Sequence, residues 1–189
     1  MKNIIIILTF WGVVSVQAQQ IVDIDTYNIG DTTNKYYKDI NNIYPTFTGT
    51  WEYTYGNHTF RVILWKETMA PLYSDENSYM DKIYGKFLLI ENTGSVIGGE
   101  VICNSVKYFP QSDYTSNVVI IGHAETTAGF GAYFEDTCAT GSVLTAGLSF
   151  KIIDNNTTPL QAEWKLAHRQ LFTGESFSVP ENCIITKVE

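Results

Sequence analysis

The side chains best suited to acid–base, nucleophilic or metal chemistry in this chain are His58, His123 and His168, Cys103, Cys138 and Cys183, and the adjacent carboxylates Glu135 and Asp136. Their spacing decides what they can do. A tetrahedral zinc site draws on closely spaced cysteines and histidines, whereas here the three cysteines are far apart and no histidine is near one of them in sequence. A serine hydrolase needs its nucleophile on a strained turn with a base beside it, and no Gly-x-Ser-x-Gly run is present. Glu135 and Asp136 could supply half of a glycosidase pair, but neighbours on a strand point to opposite faces and cannot line one cleft. They read as a solvated strand end. His123 and His168 fall within predicted strands, His168 on an apolar face, which suits a core or rim residue better than a general base. Asp23, Asp25, Asn28 and Asp31 have the composition of a calcium loop, without the glycine and closing glutamate at the spacing an EF-hand requires. No catalytic residue, metal site or cofactor is expected.

The chain opens with Met1-Lys2-Asn3, an apolar run from Ile4 to Val14, and the small-residue segment Val16-Gln17-Ala18. That is the layout of a secretory signal peptide, with cleavage expected after Ala18. The apolar run is shorter than the roughly 20 residues that span a bilayer, and no later stretch approaches that length, so no membrane span is expected. The mature protein is expected to be secreted or periplasmic. Removing 18 of 189 residues leaves 171, a length that suits one domain with a substantial core. Loss of Lys2 also moves the net charge from -8 to -9. An acidic chain without a Lys/Arg cluster excludes nucleic acid as a partner. In an oxidising compartment the three cysteines can form at most one intramolecular disulfide. Its pairing is open in sequence, as is the alternative of three buried thiols. A bridge between Cys103 and Cys138 would close a loop of about 35 residues and stabilise by roughly 3 to 4 kcal/mol.

The elements that must position these residues are almost all strands. Residues 19–45 form a polar lead-in, with Ile21-Val22-Asp23-Ile24 strand-like and Tyr36-Tyr37 flanking a short helical turn. From Phe47 the signal sharpens. Gly56-Asn57 separates two β-rich runs and predicts a type II′ hairpin, which pairs Tyr53 with Phe60, Trp51 with Val62, and Glu52 with Arg61 on the opposite face. A polar loop at Ser74–Ser78 precedes strands at about Lys82–Glu91 and Ser95–Cys103, joined through Asn92-Thr93-Gly94. A loop-like stretch from Asn104 to Asn117 leads to Val118–Ile121 and, after a turn near Thr126 to Gly129, to a strand over Phe130–Glu135, where Gly129 and Gly131 suggest a bulge or close backbone approach. Leu144, Ala146, Leu148, Phe150 and Ile152 share one strand face. Leu160, Ala162, Trp164, Leu166 and His168 share another, and a last strand covers Cys183–Val188. Nine or ten short strands with regular turns favour an all-β, antiparallel up-and-down barrel over residues 46–189, with a β-sandwich as the alternative.

Phe47-Thr48-Gly49-Thr50-Trp51 resembles the Gly-x-Trp opening of lipocalins and related calycins. In that family the tryptophan closes the barrel floor under a basic residue from a late strand, a part that Arg169 or Lys187 would take here. Over most of its length the chain also resembles DUF6705, a group of uncharacterised secreted proteins from Bacteroidetes. The resemblance rests on the signal peptide, Gly49-Thr50-Trp51, Tyr84-Gly85-Lys86-Phe87, Glu163-Trp164 and the ending Pro180-Glu181-Asn182-Cys183-Ile184-Ile185-Thr186-Lys187. It implies export and a β fold and carries no known activity.

Two non-enzymatic functions follow. In the first, the barrel holds a small apolar ligand in an interior lined by Trp51, Tyr53, Phe60, Phe150 and Trp164, set against the alternative that these side chains simply fill it. In the second, exposed tyrosines such as Tyr36, Tyr37, Tyr73, Tyr79, Tyr108 and Tyr114 recognise carbohydrate or protein. The intact mass of protein recovered from the medium or periplasm checks the export reading: it should correspond to a chain beginning at Gln19, and a mass that retains Met1–Ala18 would refute it.

Overall fold

A computed structural model describes residues 19–28, 34–72, 75–94, 99–105, 118–154, 156 and 158–189. The signal-peptide segment, Asp31, Tyr73, Tyr108 and Tyr114 lie outside them. Eleven strands form among the described residues: β1 (Gln20–Asp23), β2 (Lys35–Lys38), β3 (Gly49–Tyr55), β4 (His58–Leu72), β5 (Asp75–Glu91), β6 (Glu100–Asn104), β7 (Ile120–Thr126), β8 (Gly129–Asp136), β9 (Leu144–Ile152), β10 (Gln161–Ala167) and β11 (Asn182–Lys187). Three-residue 3-10 turns occupy Ile24–Thr26 and Tyr44–Thr46.

Eight of these strands close into a ring in the order β3, β4, β5, β7, β8, β9, β10, β11 and back to β3, every pair antiparallel. This is the up-and-down barrel read from the alternation. Period-two patterning produces it directly: Leu144, Ala146, Leu148 and Phe150 are buried while Thr145 and Gly147 between them are exposed, and Ala162, Trp164 and Leu166 repeat the pattern on β10. Closure leaves no free edge within the ring. The first hairpin adopts the predicted register, Tyr53 opposite Phe60, Trp51 opposite Val62 and Glu52 opposite Arg61, and the last of these pairs is a 2.6 Å salt bridge on the outer wall.

Three segments depart from the sequence reading. Tyr36 and Tyr37 belong to a strand, β2, because their backbone pairs in parallel with β1 on one side and with Tyr79 and Met80 of β5 on the other. The stretch from Asp75, read as a loop, is the first part of a 17-residue β5, since β4 runs on to Leu72 and supplies its partner across an irregularity between Glu67 and Ala70. Of the two glycines flagged in β8, Gly129 is the close approach: a Cβ there would meet the Phe150 carbonyl oxygen at 2.4 Å, while one on Gly131 would meet nothing. The lead-in also contributes to the core, for Ile24, Tyr37 and Tyr44 are buried with the barrel's interior side chains.

β3 and β11 meet over a short ladder, Glu52 with Thr186 and Trp51 with Lys187, extended by hydrogen bonds between Thr50 and both Val188 and Glu189. Gly49 enters it at φ +120, where a Cβ would lie 2.1 Å from the Glu189 carbonyl oxygen. Substitution Gly49→Ala is expected to cost about 2 to 4 kcal/mol through combined backbone strain and steric displacement of the C-terminal strand. Chemical denaturation checks this, and a loss below about 0.5 kcal/mol would show that the close approach does not constrain the fold.

Candidate functional site

Four of the five residues predicted to line the interior, Trp51, Phe60, Phe150 and Trp164, are fully buried. They touch other rings. Trp51 packs edge-on against Phe150 at 5.0 Å, Phe150 stacks on Phe130 at 4.9 Å, and Trp164 receives Phe60 and Phe134 at 5.1 and 5.4 Å. Their polar atoms are used locally, the Trp51 indole N–H donating to the Phe47 carbonyl at 2.7 Å and that of Trp164 to the Pro180 carbonyl at 3.0 Å. The Lys187 ammonium lies over the Trp51 ring at 5.6 Å and donates to the carbonyls of Pro45 and Thr46, tying the second 3-10 turn to the barrel end. Arg169, the other basic residue considered for that place, instead holds Glu175 through both terminal nitrogens.

Tyr53, the fifth, is half-buried at the opposite end. There the β3–β11 ladder has already stopped at Glu52 and Thr186, and the strands separate around an open cleft of about 340 Å³ lined by Tyr53, Tyr55, Asn182 and the segment Phe177–Pro180. Tyr53 and Tyr55 share the inward face of β3 and stack within 17° at 5.6 Å, and His58 continues the stack from the far side of the turn. On the other flank of the same segment is a second open cleft, about 520 Å³, lined by Leu89, Ile102, Cys103, Asn104, Thr137, Cys138 and again Ser178. Residues 177–180 therefore form a strap across the barrel mouth with a cleft on either side.

Buried chemistry holds the strap in place. Asp136, read from sequence as a solvated strand end, is fully buried, because the strap passes over the end of β8 and covers it. Its carboxylate accepts the Ser178 N–H at 2.6 Å, the Ser178 hydroxyl at 2.8 Å and the Cys138 N–H at 2.9 Å. Glu135 points to the outer wall, where it accepts from the Tyr133 hydroxyl. Cys103 on β6 and Cys138 after β8 are joined as a disulfide that spans the second cleft's edge, and Cys183 is a buried free thiol with its pKa pushed up to about 12 by burial. Phe177 rests on Phe134 and on His168. His168 in turn bonds Glu181, and that hydrogen bond raises its pKa.

The family model of DUF6705, a family of unknown function, matches residues 1–188. The chain belongs to DUF6705. No curated protein and no solved structure matches it.

The tyrosines of the DUF6705 lead-in are not available for recognition: Tyr36 and Tyr37 are buried, Tyr36 because its hydroxyl donates to the Asp81 carboxylate and Tyr37 because it packs edge-on to Tyr27. Tyr79 is half-buried and lines a separate cleft of about 310 Å³ beside Met69. A further cleft of about 360 Å³ along β8 and β9 borders Phe150, whose side chain is itself buried. Beneath the lead-in, Lys66 bridges Asp39 and Asp81 at 3.2 and 3.0 Å. Burial alone would raise the Asp81 pKa, but the Tyr36 hydroxyl, the Asp39 N–H and the Lys66 ammonium outweigh it and leave the carboxyl below its ordinary range. Among the described residues no group of three or more His, Cys, Asp or Glu side chains is placed to hold a metal ion. Asp23 instead caps the first 3-10 turn and accepts from Asn41.

Tyr55, Asn182 and the strap were missed in the sequence. Tyr55 was legible, two residues beyond Tyr53 on the same face; the strap has no periodicity to reveal it.

His123 on β7 sits between Tyr27 at 5.4 Å, Glu125 at 3.6 Å and the charge of Lys82. Burial lowers its pKa, Glu125 opposes that, and Lys82 adds to it. A depressed histidine binds fewer protons folded than unfolded, so its contribution to stability is lost as pH falls through about 6.5. His168, with a raised pKa, acts in the opposite sense. The melting temperature of His123→Gln should therefore decline less than that of the parent between about pH 7.5 and pH 5.5; identical pH profiles would show that His123 is not strained by its surroundings.

Proposed function

We propose that this protein is an exported, non-enzymatic binding barrel that takes a small ligand at its mouth, beside the Phe177–Pro180 strap, rather than inside the barrel. The observation that carries the reading is the division of aromatic residues. Those on β3, β4, β5, β8, β9 and β10 that face inward pack on one another in the core, while Tyr53 and Tyr55 are half-buried and stand in the wall of the mouth cleft. A calyx ligand would have to displace Trp51, Phe60, Phe150 or Trp164, each fully buried, and interiors packed to crystal-like density have no spare volume for a guest. The mouth clefts, about 340 and 520 Å³, fall in the range of small-molecule sites.

A binding role also suits the ionisable groups. Asp136 has its oxygens occupied by the strap, and the Asp39–Lys66–Asp81 network ties the lead-in to β4 and β5. Neither arrangement leaves a nucleophile with a base beside it facing a cleft.

Native mass spectrometry of protein purified from the medium tests this. A retained small molecule should be seen on the parent and on Phe150→Leu, and should be lost from Tyr55→Ala. Loss from Phe150→Leu with retention on Tyr55→Ala would place the ligand in the interior and overturn the proposal.

A further inference from the structure

We infer that the ligand of the mouth is an uncharged, hydroxyl-rich molecule of the saccharide class, an inference that rests on the mouth being the binding site. The residues lining the two clefts are apolar, aromatic, hydroxyl, amide or disulfide side chains, and none carries a charge at neutral pH. That excludes most alternatives on electrostatic grounds. A fatty acid, nucleotide or phosphate ester would bring an anion into a site with no lysine or arginine in its wall, on a chain whose net charge is already -8. Desolvating an anion with no cation or donor to pair it is strongly unfavourable. A cationic ligand would need a carboxylate, and Asp136, which lies beneath the strap, is already engaged by Ser178 and Cys138.

A neutral but purely apolar ligand fails for a different reason. Asn104 and Asn182 are exposed and Tyr53 and Tyr55 half-buried in the cleft walls, and among the described residues none of these hydroxyls and side-chain amides has a hydrogen-bond partner. An apolar ligand would strip water from them and leave each group without a hydrogen-bond partner. A sugar hydroxyl both donates and accepts and can satisfy phenol and amide alike. The Tyr53–Tyr55–His58 stack adds a rigid aromatic surface for the apolar faces of a sugar ring. Because the two clefts share Ser178, one on each side of the strap, an oligosaccharide long enough to cross residues 177–180 would fill both.

Isothermal titration of the mature, disulfide-bonded protein tests this with hexasaccharides of glucose, of mannose and of N-acetylglucosamine, together with palmitate and glucose 6-phosphate. At least one neutral hexasaccharide should bind, with an affinity that changes little as salt rises from about 0.05 to about 0.5 M, and that drops about tenfold or more in Tyr55→Ala and in Asn182→Ala, a factor each interaction of about 1.4 kcal/mol would produce. Asn182→Ala, at an exposed position, keeps the test valid if Tyr55→Ala does not fold. Binding of palmitate or the phosphate ester with the same dependence on Tyr55 overturns the saccharide assignment and leaves the mouth as the site. Failure of all three sugars to bind the folded parent overturns it also. Sugar binding that neither substitution weakens overturns the mouth itself.

Discussion

Three residue pairs close this barrel. Ile83, Tyr84 and Gly85 of β5 pair with Gly122, Ile121 and Ile120 of β7, and without that ladder the other seven pairings would describe an open, curled sheet. The contact is short because β5 shares one edge among three neighbours: β2 at Tyr79 and Met80, β7 in the middle, and β6 from Leu88 to Glu91. Gly85 lies in the middle section, where a Cβ would sit 2.6 Å from the end of the Leu64 side chain and 3.1 Å from that of Ile120, so a larger residue there would have to move core side chains. Strand tilt and stagger are linked once a sheet closes, so these pairs set the width of the interior for every other strand.

Closure brings the inward aromatic side chains into one core. An eight-stranded ring encloses a space that side chains can just fill, and this sequence places tryptophan or phenylalanine at inward positions on β3, β4, β5, β8, β9 and β10. At one end the lead-in completes the packing with Ile24 and Tyr44, beside Phe47, pinned by Lys66 between two buried carboxylates and by Lys187 over Trp51. A buried ion network of this kind is weak evidence for net stability, but it specifies where the lead-in lies. The other end is finished differently: β3 and β11 part before their strands end, and an irregular strap crosses the opening.

That asymmetry gives the two ends different chemistry. The lead-in end carries buried charge fully engaged by partners. The mouth holds a buried carboxylate too, Asp136 under Ser178, but its cleft walls are uncharged and include the stacked rings of Tyr53 and Tyr55. The disulfide between Cys103 and Cys138 stands at this mouth and fastens β6, which lies outside the ring, to the segment that follows β8.

The sequence by itself determined most of the ring strands, most of their inward faces and the register of the first hairpin, because each rests on local rules: period-two alternation, a Gly-Asn turn, cross-strand charge pairing at Glu52 and Arg61. The resemblance to DUF6705 read from the sequence agrees with the family model, which matches residues 1–188. What the sequence did not contain was any relation between distant segments. Tyr36 and Tyr37 look helical or exposed until Asp81, 45 residues on, is known to lie under the Tyr36 hydroxyl. Asp136 looks solvated until Ser178 closes over it, 42 residues later. Tyr53 differs from Trp51 in role because the β3–β11 ladder ends between them. Only the tertiary structure decided which aromatics fill the barrel and which line its mouth, since burial depends on what the rest of the chain lays on top.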